Sequence, residues 1–108
     1  HDLALANQFC NRIIVMHAGQ IAENGLSQSL IQNPRHPYTK ELISTSPSQV
    51  NNLKSLQHSS GTTTNLFIDD HKCRFYNRCF NKIKNCIQDE LKIKNINTEH
   101  AISCHNPL

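Results

Sequence analysis

Four of the chain's five cysteines stand at Cys73, Cys79, Cys86 and Cys104, all in the last third of the sequence. No other feature limits the fold as strongly. A thiolate is a soft ligand that suits zinc or an iron–sulfur cluster, and four of them close a site of either kind. The intervening stretches of five, six and seventeen residues lack the short Cys knuckle, about two to four residues, that marks most structural zinc sites. The wide spacing therefore leans toward an iron–sulfur cluster, with zinc or four unrelated reduced thiols as alternatives. His71, His100 and His105 are each able to replace a cysteine, so the ligand set is open on spacing alone. Lys72, Arg74, Arg78, Lys82 and Lys84 lie among the thiols; cations there lower thiolate pKa and offset the charge of a ligated site. Cys10, far upstream, reads as a small core residue.

Composition says why such a tail needs a staple. A chain of 108 residues buries only about 60–65% of its unfolded surface. This one has 37% apolar residues, no Trp, thirteen Asn and a mean hydropathy of −0.53. The formal charge of +3 is too weak to argue for nucleic acid or a membrane surface. No apolar run is long enough for a transmembrane helix, and no basic-then-apolar start marks a signal peptide. The odd cysteine count without a secretory start argues against a disulfide framework. The first residue is His1, and the chain reads as a piece of something longer.

Three zones follow: 1–45, a linker at 46–72, and a Cys-rich tail at 73–108. Leu3, Leu5, Ala6, Phe9 and Cys10 recur at helical spacing, with Asp2 placed to cap a helix over about 3–10. Ile13-Ile14-Val15-Met16-His17 is a β-branched run typical of a buried strand. Ala18-Gly19 is a tight-turn signal, and Gln20-Ile21-Ala22-Glu23 alternates as a return strand does. Ser27 is the expected N-cap of a short helix that Asn33-Pro34 ends. Pro37 opens another helix, over about 37–45. Residues 46–65 carry no apolar period. Two helical turns are expected around 80–86 and 87–92. The fold class expected is α+β: a helix, a hairpin, two short helices, a linker and a metal-stapled, coil-rich tail. With so little to cover it, the hairpin's apolar face is expected to be poorly protected.

Several motifs in this order are similar to one family. His1-Asp2, a helix, and then Asn11-Arg12, Val15-Met16, Gly19, Ile21, Glu23 and Gly25 resemble the end of an ABC-transporter nucleotide-binding domain. Asn33-Pro34-Arg35-His36-Pro37-Tyr38-Thr39 through Leu42 resembles a segment of the ATP-binding subunits of oligopeptide and dipeptide importers, with nickel importers as relatives. Cys73-Arg74-Phe75-Tyr76-Asn77-Arg78-Cys79, then Cys86 and Cys104-His105, resembles their Cys-rich extension. Tyr76-Asn77 stands where that family often has His-Pro, which removes a rigid Pro and no ligand. The resemblance implies a 4Fe–4S cluster on Cys73, Cys79, Cys86 and Cys104. It implies that His1 is the switch histidine, reaching the γ-phosphate and attacking water in the intact protein. It implies membrane-spanning permease subunits and a second ATP-binding subunit as partners, no nucleic acid, and a peripheral place on the cytoplasmic face of the bacterial inner membrane. The transported substrate, peptide or nickel, is set by other subunits.

The chain contains no G-x-x-x-x-G-K-S/T phosphate cradle, no apolar strand ending in Asp-Glu and no Ser-Gly-Gly signature. Phosphoryl transfer depends on such positioned groups. ATP and Mg²⁺ are therefore expected only in a full-length parent, and the chain alone is not expected to hydrolyse ATP. A reading of another class is a free-standing basic Cys₄ zinc module over 66–108, contacting nucleic acid through its cations and stacking bases on Phe75, Tyr76 and Phe80. A third is a truncated gene product without function.

Overall fold

A computed structural model describes residues 2–46 and 71–108. It opens with helix α1, Leu3–Phe9, whose first turn is closed by the Asp2 carboxylate accepting from Leu5 N–H at 2.9 Å. Such a cap satisfies a backbone donor that has no partner inside the helix. Strands β1, Arg12–His17, and β2, Gln20–Leu26, form the expected antiparallel hairpin. Ala18 and Gly19 both take positive φ, 47° and 80°, as a two-residue turn matched to strand twist requires. The register shifts between Val15 and Met16. Helices α2, Ser27–Gln32, and α3, Pro37–Ser44, follow.

Leu3, Ile13, Val15, Ala22 and Leu30 are buried together, with Ala6, Ile31, Tyr38, Leu42 and Ile43 packed around them. The hairpin's inner face is thus covered by the three helices, contrary to the expectation that it lacks a cover. Each fully buried aliphatic side chain here contributes about 1.5–3 kcal/mol. The strand is buried on one face only: Ile14 and Met16 are more than half exposed. Cys10 is exposed rather than in the core, because it stands at the C-cap of α1, past the helix's buried face. Ser27 is the first helical residue and not the N-cap; its backbone N–H bonds to the Asn11 carbonyl at 2.9 Å, and the cap position falls on Leu26.

The tail is less coil-rich than its composition suggests. A 3₁₀ turn at Tyr76–Arg78 and a single helical turn, α4, Asn85–Gln88, replace the expected turns at 80–86 and 87–92. Then β3, Lys94–Asn97, and β4, His100–Ile102, form a second hairpin. β4 pairs antiparallel with β2, with Glu23 opposite Ile102 and Asn24 opposite Ala101. The result is one four-stranded sheet in the order β1-β2-β4-β3. The architecture is α+β, as expected. The linker expectation at 46–72 falls, except at its two ends, outside the described residues, as does His1.

Candidate functional site: four thiols on a hairpin sheet

The tail builds a second core of a different kind. Its buried members are Cys73, Phe75, Cys79 and Cys86, with Tyr38, Tyr76 and Leu91 against them. Phe75 is the apolar anchor. Its ring lies 5.3 Å from Tyr38, 5.2 Å from His17 and 5.9 Å from His36, within the range of favourable tilted aromatic pairs. Arg78 covers the Phe75 ring at 5.6 Å and bonds to Glu41 of α3. At 2% exposure, Phe75 offers no face to a nucleic-acid base, which corrects the stacking role considered for it. The Tyr76 ring is covered by Lys82 at 5.2 Å.

Cys73 is held from the hairpin. The Gln20 side chain, next to the tight turn, donates to the Lys72 carbonyl at 2.8 Å and accepts from Arg74 N–H at 3.1 Å. One amide thus mimics a strand partner for the residues on either side of Cys73. The Arg74 guanidinium returns to the Ala18 carbonyl of the turn. Cys73 N–H reaches the Cys86 carbonyl at 3.4 Å, which brings the third cysteine beside the first. Cys79 follows the 3₁₀ turn, its N–H bonded to the Tyr76 carbonyl at 3.2 Å. Cys104 arrives from β4, anchored by Ser103 N–H on the Ala22 carbonyl at 2.9 Å.

Cys73, Cys79 and Cys86 share one buried cluster, and the Cys104 thiol feels the charge of all three. Burial pushes the Cys73 and Cys79 thiols up and the Cys104 thiol up to about 12. Against burial, backbone N–H groups point at three sulfurs: from Phe75 and Tyr76 to Cys73, from Asn81 to Cys79, and from Asn106 to Cys104. Such donors favour the thiolate. Among the described residues, no three His, Cys, Asp or Glu side chains close around a single-ion position. The residues that could hold a thiolate-ligated group are these four cysteines, with N–H groups facing three of the sulfurs; nearby, His105 Nε2 is buried with no hydrogen-bond partner. His100 is not free to join the four cysteines. Its Nε2 lies 2.6 Å from Glu23 Oε1, and His71 is exposed.

Glu23 is the joint between the two cores, and sequence reasoning missed it. It is fully buried. Its Oε1 takes Arg35 N–H at 2.8 Å and faces His100 Nε2, and its Oε2 accepts from His36 N–H at 3.0 Å. A buried carboxylate needs this many partners. It joins β2, the entry to α3 and β4. Gly25 is part of the same fit: a Cβ there would meet the His100 ring at 3.4 Å. His36 itself is the N-cap of α3, its Nδ1 accepting from Tyr38 N–H at 3.0 Å with Pro37 in the first turn. Burial pushes His36 down to about 4, with the Glu23 carboxylate opposing. Half-buried His17 is lowered as well, by burial and then by the Arg78 cation. Period-two alternation put Glu23 in a strand. Nothing local marked it as inward-facing, because its partners come 12 and 77 residues later.

Residues 22–86 match the family described as the oligopeptide/dipeptide transporter, C-terminal region. The chain belongs to this family. The matched stretch runs from β2 through α3 to the third tail cysteine. Relatives include the dipeptide transport ATP-binding protein DppD of Haemophilus influenzae, 33% identical over all of this chain and 32% of the relative. DppD of Bacillus subtilis is 37% identical over 80% of this chain and 26% of its own length. The oligopeptide transport ATP-binding protein OppF of Mycoplasma genitalium is 49% identical over 44% of this chain and 6% of its own length. The chain spans about a third of the length of the dipeptide relatives it matches from end to end. Among the described residues, no helix is long and apolar enough to cross a membrane.

Proposed function

We propose that this chain is the C-terminal portion of the ATP-binding subunit of a bacterial peptide importer. In the intact protein it would serve the coupling of ATP hydrolysis to peptide uptake. The observation that carries this reading is the family match over residues 22–86, together with relatives named as dipeptide and oligopeptide transport ATP-binding proteins. His1 is assigned the switch role, next to the γ-phosphate supplied with the upstream domain. Permease subunits and a second ATP-binding subunit are the assigned partners, at the cytoplasmic face of the membrane. An antibody to residues 46–72 applied to extracts of the source cell tests this. A product much larger than 12.3 kDa is expected. A product at that mass overturns the ATPase reading, since the sequence holds no phosphate cradle. The purified chain itself is expected to turn over no ATP above a His1→Ala control.

For the tail, the reading is that Cys73, Cys79, Cys86 and Cys104 hold a 4Fe–4S cluster, with zinc the alternative. Three cysteines buried in one cluster with Cys104 arriving beside them from β4, the N–H groups facing three of the four sulfurs and the unpartnered His105 Nε2 support it. When bound, the group supplies a covalent cross-link between segments that are otherwise joined by few buried apolar contacts. The chain's own residues do the placing: Gln20 fixes the first thiol, the Tyr76–Arg78 turn sets the second, and the β2–β4 pairing delivers the fourth. Anaerobic purification followed by metal and acid-labile sulfide analysis tests it. Iron with sulfide is expected; zinc without sulfide favours the alternative, and no metal overturns both.

A further inference from the structure

Two tail segments repeat one pattern: Cys79-Phe80-Asn81 and Cys104-His105-Asn106. The Asn81 backbone N–H turns back to Cys79 Sγ, two residues earlier, at 3.3 Å, and the Asn106 backbone N–H faces the Cys104 sulfur in the same relation. The side chains then cross. Asn81 Nδ2 donates to the Asn106 carbonyl at 2.8 Å, and Asn106 Nδ2 donates to the Asn81 carbonyl at 3.0 Å. Both pairs are part-buried, and the two residues are 25 apart in sequence. A reciprocal pair of amide bonds, each anchored to a Cys turn, leaves the two turns little freedom to separate.

We propose that Asn81 and Asn106 form a lock that positions Cys104 against Cys79 and so completes the four-thiol site. Cys104 is the cysteine with the greatest need of one. Seventeen residues part it from Cys86, and closing a loop of that length costs conformational entropy. On its upstream side Ser103 is bonded to β2. On its downstream side the first anchor is Asn106, whose bonds run to the Cys79 turn; Leu108, further on, is bonded to Arg35 and not to the other cysteine turns. Asn81 and Asn106 are positioning residues acting through the cysteines. The use of the lock for metal rests on the cluster reading above; the lock itself does not.

The test uses the 108-residue chain as wild type, Asn81→Leu, Asn106→Leu and the double variant. Reduced, metal-free chain is alkylated with iodoacetamide, and each cysteine is read by mass spectrometry with exposed Cys10 as the internal standard. Cys79 and Cys104 are expected to react several-fold faster in every variant, the loss of about one or two net hydrogen bonds, with Cys73 and Cys86 unchanged. The double variant is expected to match the singles, because either substitution opens the whole lock. Reconstitution with ferrous iron and sulfide is expected to show iron affinity reduced by roughly tenfold or more and an altered paramagnetic resonance spectrum. Four cysteines responding together, or none, overturns the lock. A wild type that takes up no iron while Cys79 and Cys104 respond as a pair overturns the cluster reading and leaves the lock standing. Loading and alkylation identical to wild type in all variants do the reverse. Asn81→Asp, which keeps the shape and removes the donor, replaces Asn81→Leu if that variant fails to fold.

Discussion

The two cores of this small molecule are built on opposite principles. The first, under the hairpin, is aliphatic: Leu3, Ile13, Val15, Ala22 and Leu30 come together from two helices and two strands, with Leu42 and Ile43 of α3 packed against them. The second, in the tail, buries three thiols and one phenyl ring. Aliphatic burial is non-directional and stabilises by area alone. A thiol cluster offers little apolar area and takes its definition from hydrogen bonds and from whatever the sulfurs hold. The difference teaches that the halves should respond to different insults, although one sheet runs through both.

The largest expected effect is on the tail alone. Cys79→Ser should remove the protection of residues 71–92 against proteolysis while α1–α3 keep theirs, as read by mass mapping of the first cuts. Equal resistance in both halves would show that the thiols staple nothing. Next is Glu23→Ala, which strikes the joint. It strands the Arg35 and His36 amides and the His100 ring, and removing one member of a buried pair costs about 3–5 kcal/mol. Denaturant unfolding should show both halves destabilised together. Leu30→Ala, at a residue with no exposed surface, should cost about 2–5 kcal/mol, with the loss concentrated in the exchange rates of α1–α3.

A pH experiment sharpens the same contrast. His36 is held down to about 4 by burial, against an ordinary value near 6.5. It is neutral in the folded chain, while the unfolded chain takes up a proton below about 6.5. Stability from this site is therefore full above that pH and is lost as pH falls toward 4, on the order of 3 kcal/mol in all. Amide protection of α3 should fall through this window. His36→Asn, which retains a capping acceptor and does not titrate, should flatten the fall. The smallest effect is expected from Gln20→Ala. It should cost about 1 kcal/mol and raise the alkylation rate of Cys73 more than that of Cys86.

How much of this was legible in the sequence differs between the halves for a physical reason. The hairpin, the Asp2 cap, the Pro37 start and the ending of α2 before Pro34 all follow from local rules, and the structure has them. The gathering of Cys73, Cys79 and Cys86 in the tail was foreshadowed by their closeness in sequence. What was hidden depends on partners far apart in the chain. Lys94–Asn97 and His100–Ile102 carry no clean alternation, and every residue of β3 is exposed; the strands exist because β2 offers an edge. Glu23, Gln20, Asn81 and Asn106 are ordinary polar residues until the fold places a backbone group opposite each. Cys10 misled because α1 is short and its C-terminal end lies past the covered face.

The most direct measurement is hydrogen exchange, residue range by residue range, on the anaerobically purified chain before and after stripping with a chelator. The account predicts that stripping deprotects residues 71–92 and the β3–β4 hairpin while α1–α3 and β1–β2 stay protected. Unchanged protection in the tail, or equal loss across both halves, would contradict it.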